Sequence, residues 1–230
     1  MLILLLIVGG LFVAADRLAV NYAEGKLADR ARTARGGAED AEVTINGFPF
    51  LTQLADRELE SVDITLNGVT ASGEGQTLQV NEFDVKARDI TLNDSYSGGV
   101  AAKATGTAYL TYEALTEAAA EGVSIAYGGE TAEGEPKVQV TGQVQVPFLG
   151  RTIEGTTTSA LSVENGDTIK LYAESVPGQE IPGVEGFIRE RIDYTRQING
   201  LPPGVELTGI EATPDGVEVN FTGEQIDLAG

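Results

Sequence analysis

Residues Val138-Gln-Val-Thr-Gly-Gln-Val-Gln-Val146 alternate apolar and polar side chains almost without a break. Successive side chains of an extended strand point to opposite faces, so this pattern requires a sheet with one dry side and one wet side. The same alternation recurs along most of the chain. Val62, Ile64 and Leu66 alternate with Asp63, Thr65 and Asn67, and Leu78 and Val80 with Gln79 and Asn81. Val85 to Leu92 continues the theme. Leu161-Ser-Val-Glu and Ile169-Lys-Leu-Tyr flank Asn165-Gly166-Asp167, and Val217-Glu-Val-Asn-Phe221 follows Pro214-Asp215-Gly216, two junctions that read as hairpins. Asn67-Gly68 reads as the end of its strand. An antiparallel sheet of roughly eight to ten such strands has a large dry face that other elements must cover.

Few segments are available to cover it. Asp16 to Arg35 reads as an amphipathic helix with Leu18, Tyr22 and Leu27 near one stripe, stopped by Gly36-Gly37. In Ala41-Glu-Val-Thr-Ile-Asn-Gly-Phe-Pro-Phe-Leu-Thr-Gln-Leu54, Val43 and Ile45 mark a short strand and Asn46-Gly47 a turn. Pro49 fits the start of a short helix whose apolar side carries Phe50, Leu51, Leu54 and Leu59. Thr111 to Glu121, containing Leu115, predicts another helix. Val184 to Ile198 places Val184, Phe187, Ile188, Ile192, Thr195 and Ile198 on one helical stripe before Asn199-Gly200 and Pro202-Pro203.

The first fifteen residues, Met1 to Ala15, carry no charge. At 1.5 Å per residue such a helix is roughly 22 Å long, against about 30 Å of bilayer hydrocarbon. A buried core helix is the lesser reading, because Asp16 and Arg17 end the run so sharply, and two others follow. Val13-Ala14-Ala15 before Asp16 resembles a signal-peptidase site, and retention would make the same run a membrane anchor. Either places the protein outside the cytoplasm, in the periplasm or on the outer face of the cytoplasmic membrane. The domain organisation read here is a signal or anchor segment over 1–15 and a single domain over 16–230.

Composition narrows the function. A net charge of −20 argues against nucleic acid, whose phosphates require Lys and Arg. Cysteine and histidine are absent, which removes thiolate and imidazole nucleophiles, the usual general base, and the commonest metal ligands. No cofactor, metal or catalytic residue is expected, and the chain reads as a non-enzyme. Catalysis by carboxylates alone would be the remaining enzymatic route.

Two interiors fit the alternation. The sheet can curl around helix and fill itself, or it can leave an apolar slot that holds an acyl chain. Inward residues are mostly Val, Ile and Leu, and glycines within or beside strands (Gly75, Gly106, Gly142, Gly155, Gly223) permit strong curvature. The candidate lining residues are Phe48, Phe50, Leu51, Leu54, Val62, Ile64, Leu115, Phe148, Phe187, Ile188 and Ile192. Each fits a plain core equally. The late helix groups Arg189, Arg191 and Arg196, candidates for a phosphate head group because guanidinium matches phosphate geometry. A helix-terminal role is the alternative.

The leader, the helix behind it, Ile45-Asn-Gly-Phe-Pro-Phe-Leu-Thr-Gln53, the alternating strands and Leu201-Pro-Pro-Gly-Val-Glu-Leu-Thr-Gly-Ile210 together resemble the LmeA-like phospholipid-binding family of actinobacterial envelope proteins. The resemblance implies an α+β tubular lipid-binding type of fold, a strongly curved antiparallel sheet wrapped around helix with an apolar tunnel. It also implies export, binding of phospholipids including inositol phospholipids, and support of lipomannan-type lipoglycan synthesis or lipid transport. The strong acidity is a departure, because anionic head groups would be repelled unless local arginines offset the field. The competing expectation is a structural or interaction module with a filled core and an acidic outer face.

Overall fold

A computed structural model describes residues 2–34, 37–73, 76–119, 122–132, 134–146, 151–176, 185–186, 188–189, 193–198 and 201–228. In chain order its elements are α1 (Leu2–Thr33), β1 (Asp40–Asn46), α2 (Phe50–Asp56), β2 (Glu58–Gly73), β3 (Gln76–Leu92), β4 (Gly99–Thr111) and α3 (Tyr112–Ala118). There follow β5 (Ser124–Glu130), β6 (Pro136–Val146), β7 (Arg151–Glu164), β8 (Thr168–Ala173), β9 (Tyr194–Gln197), β10 (Val205–Ala212) and β11 (Gly216–Leu228). The protein is therefore α+β. The strands form two open, curved antiparallel sheets, one in the order β1-β2-β3-β4-β11-β10 and the other β5-β6-β7-β8-β9.

Register converts the alternation into faces. Across the larger sheet Val43 pairs with Ile64, Ile64 with Val85, Val85 with Gly106, Gly106 with Phe221, and Phe221 with Leu207. The next row on the same face runs Ala41, Leu66, Phe83, Ala108, Val219 and Ile210. The intervening rows carry Asp63, Thr65, Asp84, Lys86, Thr105 and Asn220, so one side is apolar and the other polar.

The apolar face is packed at both ends. At one end Val20 of α1 and Phe50 of α2 join Ile45, Val62, Ala87 and Ile90 in a buried cluster. At the other, Leu110, Leu207, Val217 and Val219 meet Val138, Val140 and Leu161 of the smaller sheet. Leu207 N–H donates to Gly166 O at 2.6 Å and ties β10 to the β7–β8 turn. The Tyr112 hydroxyl donates to Thr213 O at 2.7 Å, fixing α3 against the β10–β11 turn. Both predicted hairpin turns are present, at Asn165-Gly166-Asp167 and at Pro214-Asp215-Gly216.

Four local expectations change. The charge-free leader and the helix behind it are one continuous α1, because Asp16 is not exposed to water but enclosed, accepting the Leu51 amide at 2.8 Å. α2 ends at Asp56, where Arg57 takes a left-handed conformation (φ 60°), and Leu59 opens β2 instead of extending the helix. Asn67-Gly68 does not end its strand. Gly68 adopts φ +65° while Asn67 and Val69 keep an unbroken register with Glu82 and Val80. The late helix is confined, among the described residues, to turns at 185–186 and 188–189. Tyr194–Gln197 pairs with β8 instead, since Asp193 Oδ1 accepts the Ala173 amide at 2.8 Å and turns the chain onto that strand.

Candidate functional site

The middle of the larger sheet carries the site. Between the two buried clusters, Ile64, Leu66, Phe83, Val85, Ala108 and Phe221 are half-buried on the apolar face, with Ile64 packed against the first cluster and Ala108 and Phe221 against the second. Two of them are aromatic and stack, with Phe83 and Phe221 ring centroids 5.2 Å apart and planes 15° from parallel. They meet across β4, over Gly106, and the missing side chain is what makes room for them. A Cβ on Gly106 would lie 2.2 Å from Phe221 Cζ and 2.3 Å from Asp84 O. Four strands spaced about 4.8 Å apart give this band a width of roughly 14 Å, comparable to an extended segment of hydrocarbon chain.

Two open clefts flank the sheet. One, of about 450 Å³, lies beside α2 and is lined by Phe48, Pro49 and Gln53 together with Leu59, Ile90 and the carboxylates of Asp56, Glu58, Glu60 and Asp89. The other, of about 540 Å³, is lined by residues of five strands, mostly of the polar phase, including Asp63, Asp84, Lys86, Thr107, Thr208 and Asn220, with Ile64, Val85 and Phe221 also on its wall. There Thr65 donates to Asp84 at 2.5 Å and Thr107 to Asn220 at 2.9 Å. At its edge the Glu82 carboxyl is held above the usual carboxylate range, first by its hydrogen bond with Asp84 and then by that group's charge. Both clefts are of mixed polarity, and neither is an enclosed apolar tunnel.

The expected lining residues separate. Phe50 and Val62 are buried in the first cluster, and Leu51, Leu54 and Ile64 pack against it. Leu115 belongs to the second cluster, away from them. Ile188 is buried, and Phe48 stands 56% exposed at the mouth of the smaller cleft. Phe148, Phe187 and Ile192 lie outside the described residues. Of this set only Ile64 belongs to the half-buried band. Leu66, Phe83, Val85 and Phe221 were not singled out from sequence as lining, although Phe83 and Phe221 each sit in phase with an alternating run. What was missing was the pairing, because nothing local places β11 beside β4.

Of the expected head-group arginines, Arg189 is engaged by its own surroundings. Its Nε donates to Glu185 at 2.9 Å and its Nη1 to Ala173 O at 2.9 Å and Asp193 at 3.3 Å, while its guanidinium lies 4.9 Å from the Tyr172 ring centre. The Glu185 bond raises its pKa, and the Asp193 bond adds to that. A phosphate at this point would have to displace two carboxylates. Arg196 pairs with Ile169 in β9, and Arg191 lies outside the described residues.

These elements define an α+β protein of curved open sheets, with one long apolar face closed at its ends and half-open at its centre. A family model described as LmeA-like phospholipid-binding matches residues 14–222, and the chain belongs to that family. The family is described as phospholipid-binding. Comparison with curated proteins and with solved structures finds no match.

Proposed function

We propose that this protein is an exported, non-catalytic phospholipid-binding protein of the cell envelope that seats acyl chain on the central band of its larger sheet. The observation that carries the reading is the half-buried apolar patch of Leu66, Phe83, Val85 and Phe221, drawn from two adjacent rows of the larger sheet and bordered by the two buried clusters, in a chain of the phospholipid-binding family. Each methylene transferred from water to such a surface contributes about 0.8 kcal/mol, so a few turns of contact along one chain outweigh its ordering cost. The helix α1, whose Leu6–Thr33 stretch is long and apolar enough to cross a membrane, supports export and anchoring. The finer reading, carried by the family resemblance alone, is recognition of inositol phospholipids in support of lipoglycan synthesis.

Native mass spectrometry of protein purified without detergent tests the core of this proposal. Copurified phospholipid, or stoichiometric uptake from added vesicles, is the expected result. A lipid-free spectrum that stays unchanged on addition of phospholipid overturns it. A second reading is a structural module acting through its acidic polar face, favoured by the dense packing of both clusters. It would be supported by that same negative spectrum.

A further inference from the structure

The corner where α1 meets the β1–α2 turn gathers features that the acyl-binding band does not use. Leu6, Ile7, Val8, Leu11, Phe12 and Val13 of α1 are 44–67% exposed, and the helix runs on from them into the folded domain without interruption. Two carboxylates fix that helix to the domain. Asp16 accepts the Leu51 amide at 2.8 Å, and Glu24 accepts the Ile45 amide of edge strand β1 at 2.8 Å. Arg17 is the first cation after the apolar run, and its guanidinium lies 4.9 Å from the ring centre of the exposed Phe48.

We propose that Phe48 is a membrane-contact residue, held by α1 at the surface of the lipid bilayer so that the cleft beside α2 opens at head-group level. The inference rests on the anchor reading of α1 and adds to it a fixed orientation of the domain. If the charge-free run occupies hydrocarbon, its end at Asp16 and Arg17 sets the height of the interface. An arginine there extends its head into the phosphate layer. Phe48, stacked against that arginine, shares the same level, where aromatic rings partition favourably. The bilayer is the favoured occupant because the exposed Phe48 ring adds to the exposed apolar surface of α1. The acidic rim of the cleft, Asp56, Glu58, Glu60 and Asp89, favours a neutral or zwitterionic lipid surface over a strongly anionic one.

The chain contains no tryptophan, so a single introduced indole reports its own surroundings. Phe48→Trp, Leu11→Trp and Tyr127→Trp, each in the full chain, would be reconstituted into phosphatidylcholine vesicles with bromine-labelled acyl chains. Tyr127, on β5 of the smaller sheet, serves as the distal reporter. The expected result is quenched, blue-shifted emission at positions 11 and 48 and unquenched emission at 127. Quenching at 11 without quenching at 48 overturns the proposal while leaving the anchor intact. Equal quenching at 48 and 127 also overturns it, since the domain would then lie flat. Loss of residue 11 from the mature chain, or no quenching there, removes the anchor reading itself. Adding phosphatidylglycerol is expected to weaken quenching at 48, and strengthened quenching counts against the stated lipid chemistry.

Discussion

Asp16 Oδ1 accepts the amide hydrogen of Leu51 at 2.8 Å, so a side chain from the middle of α1 caps the first turn of α2. The residue at the start of that turn, Pro49, makes no side-chain cap of its own. Loss of a cap costs about 1–2 kcal/mol. Asp16→Ala is therefore expected to lower the urea midpoint of the detergent-solubilised full chain by that amount. Asp16→Asn, which keeps an acceptor oxygen, should recover most of it. Equal loss in both variants would show that the carboxylate charge, and not the cap, matters.

Gly106 lies beneath the Phe83–Phe221 stack, where a Cβ would collide with both a ring and a backbone oxygen. Gly106→Ala should destabilise by about 1–3 kcal/mol, the usual range for overpacking. Gly209→Ala, with open space around its Cα, should stay within about 0.5 kcal/mol of the parent. Thermal unfolding followed by circular dichroism separates the two. Similar behaviour of both variants would mean that the rings shift freely.

Val85 sits half-buried in the central band and belongs to neither packed cluster. Val85→Asp places a charge where acyl chain is proposed to lie. The expected outcome is at least a tenfold fall in retained phospholipid by native mass spectrometry, with the fold kept by circular dichroism. Undiminished retention would move the lipid site elsewhere on the molecule.

Burial raises the Tyr112 phenol to about 12, with the neighbouring Tyr127 and Tyr109 adding to the shift. A phenol whose folded pKa is raised keeps its stabilising proton below the unfolded value of 10.0 and loses that contribution as pH climbs toward 12. Ultraviolet titration should show a late-ionising tyrosine that disappears in Tyr112→Phe. That variant also gives up the hydrogen bond to Thr213 O, a cost of about 1 kcal/mol.

Asp167 has a lowered pKa, first because Thr168 donates to its carboxylate and then because Gln197 does. Its contribution is complete above the unfolded value of 3.8 and is lost as pH falls below that point through the depressed folded value. Acidification in that window should loosen the β8–β9 pairing, read as faster amide exchange at Thr168 and Ile198. Asp167→Ala should exchange faster already at neutral pH.

How far sequence reasoning reached follows from the range of each interaction. Period-two alternation located β6, β7, β8 and β11 because the signal lies within single segments, and Asn165-Gly166 and Pro214-Asp215-Gly216 reported their own turns. The helical reading of Tyr194–Gln197 fails because its pairing with β8 depends on a partner about twenty positions away, met where Asp193 accepts the Ala173 amide. Asp16 marks the end of the charge-free run by local information alone, whereas its acceptor role toward Leu51 was not legible because it requires α2 to fold back from 35 positions away. Phe221 closes an alternating run and Phe83 falls in phase with Val85, but their meeting over Gly106 depends on β11 entering beside β4.

That insertion has a consequence for how the protein is made. β11 follows the other described strands in sequence, yet it occupies an interior place, with β4 on one side and β10 on the other. The whole smaller sheet is synthesised between β4 and its eventual neighbour. Until β11 arrives, β4 presents a bare ladder of amides and carbonyls, the kind of edge that recruits foreign strands. A nascent chain is thus sticky along this seam, and closure of the larger sheet must wait for β11 to emerge.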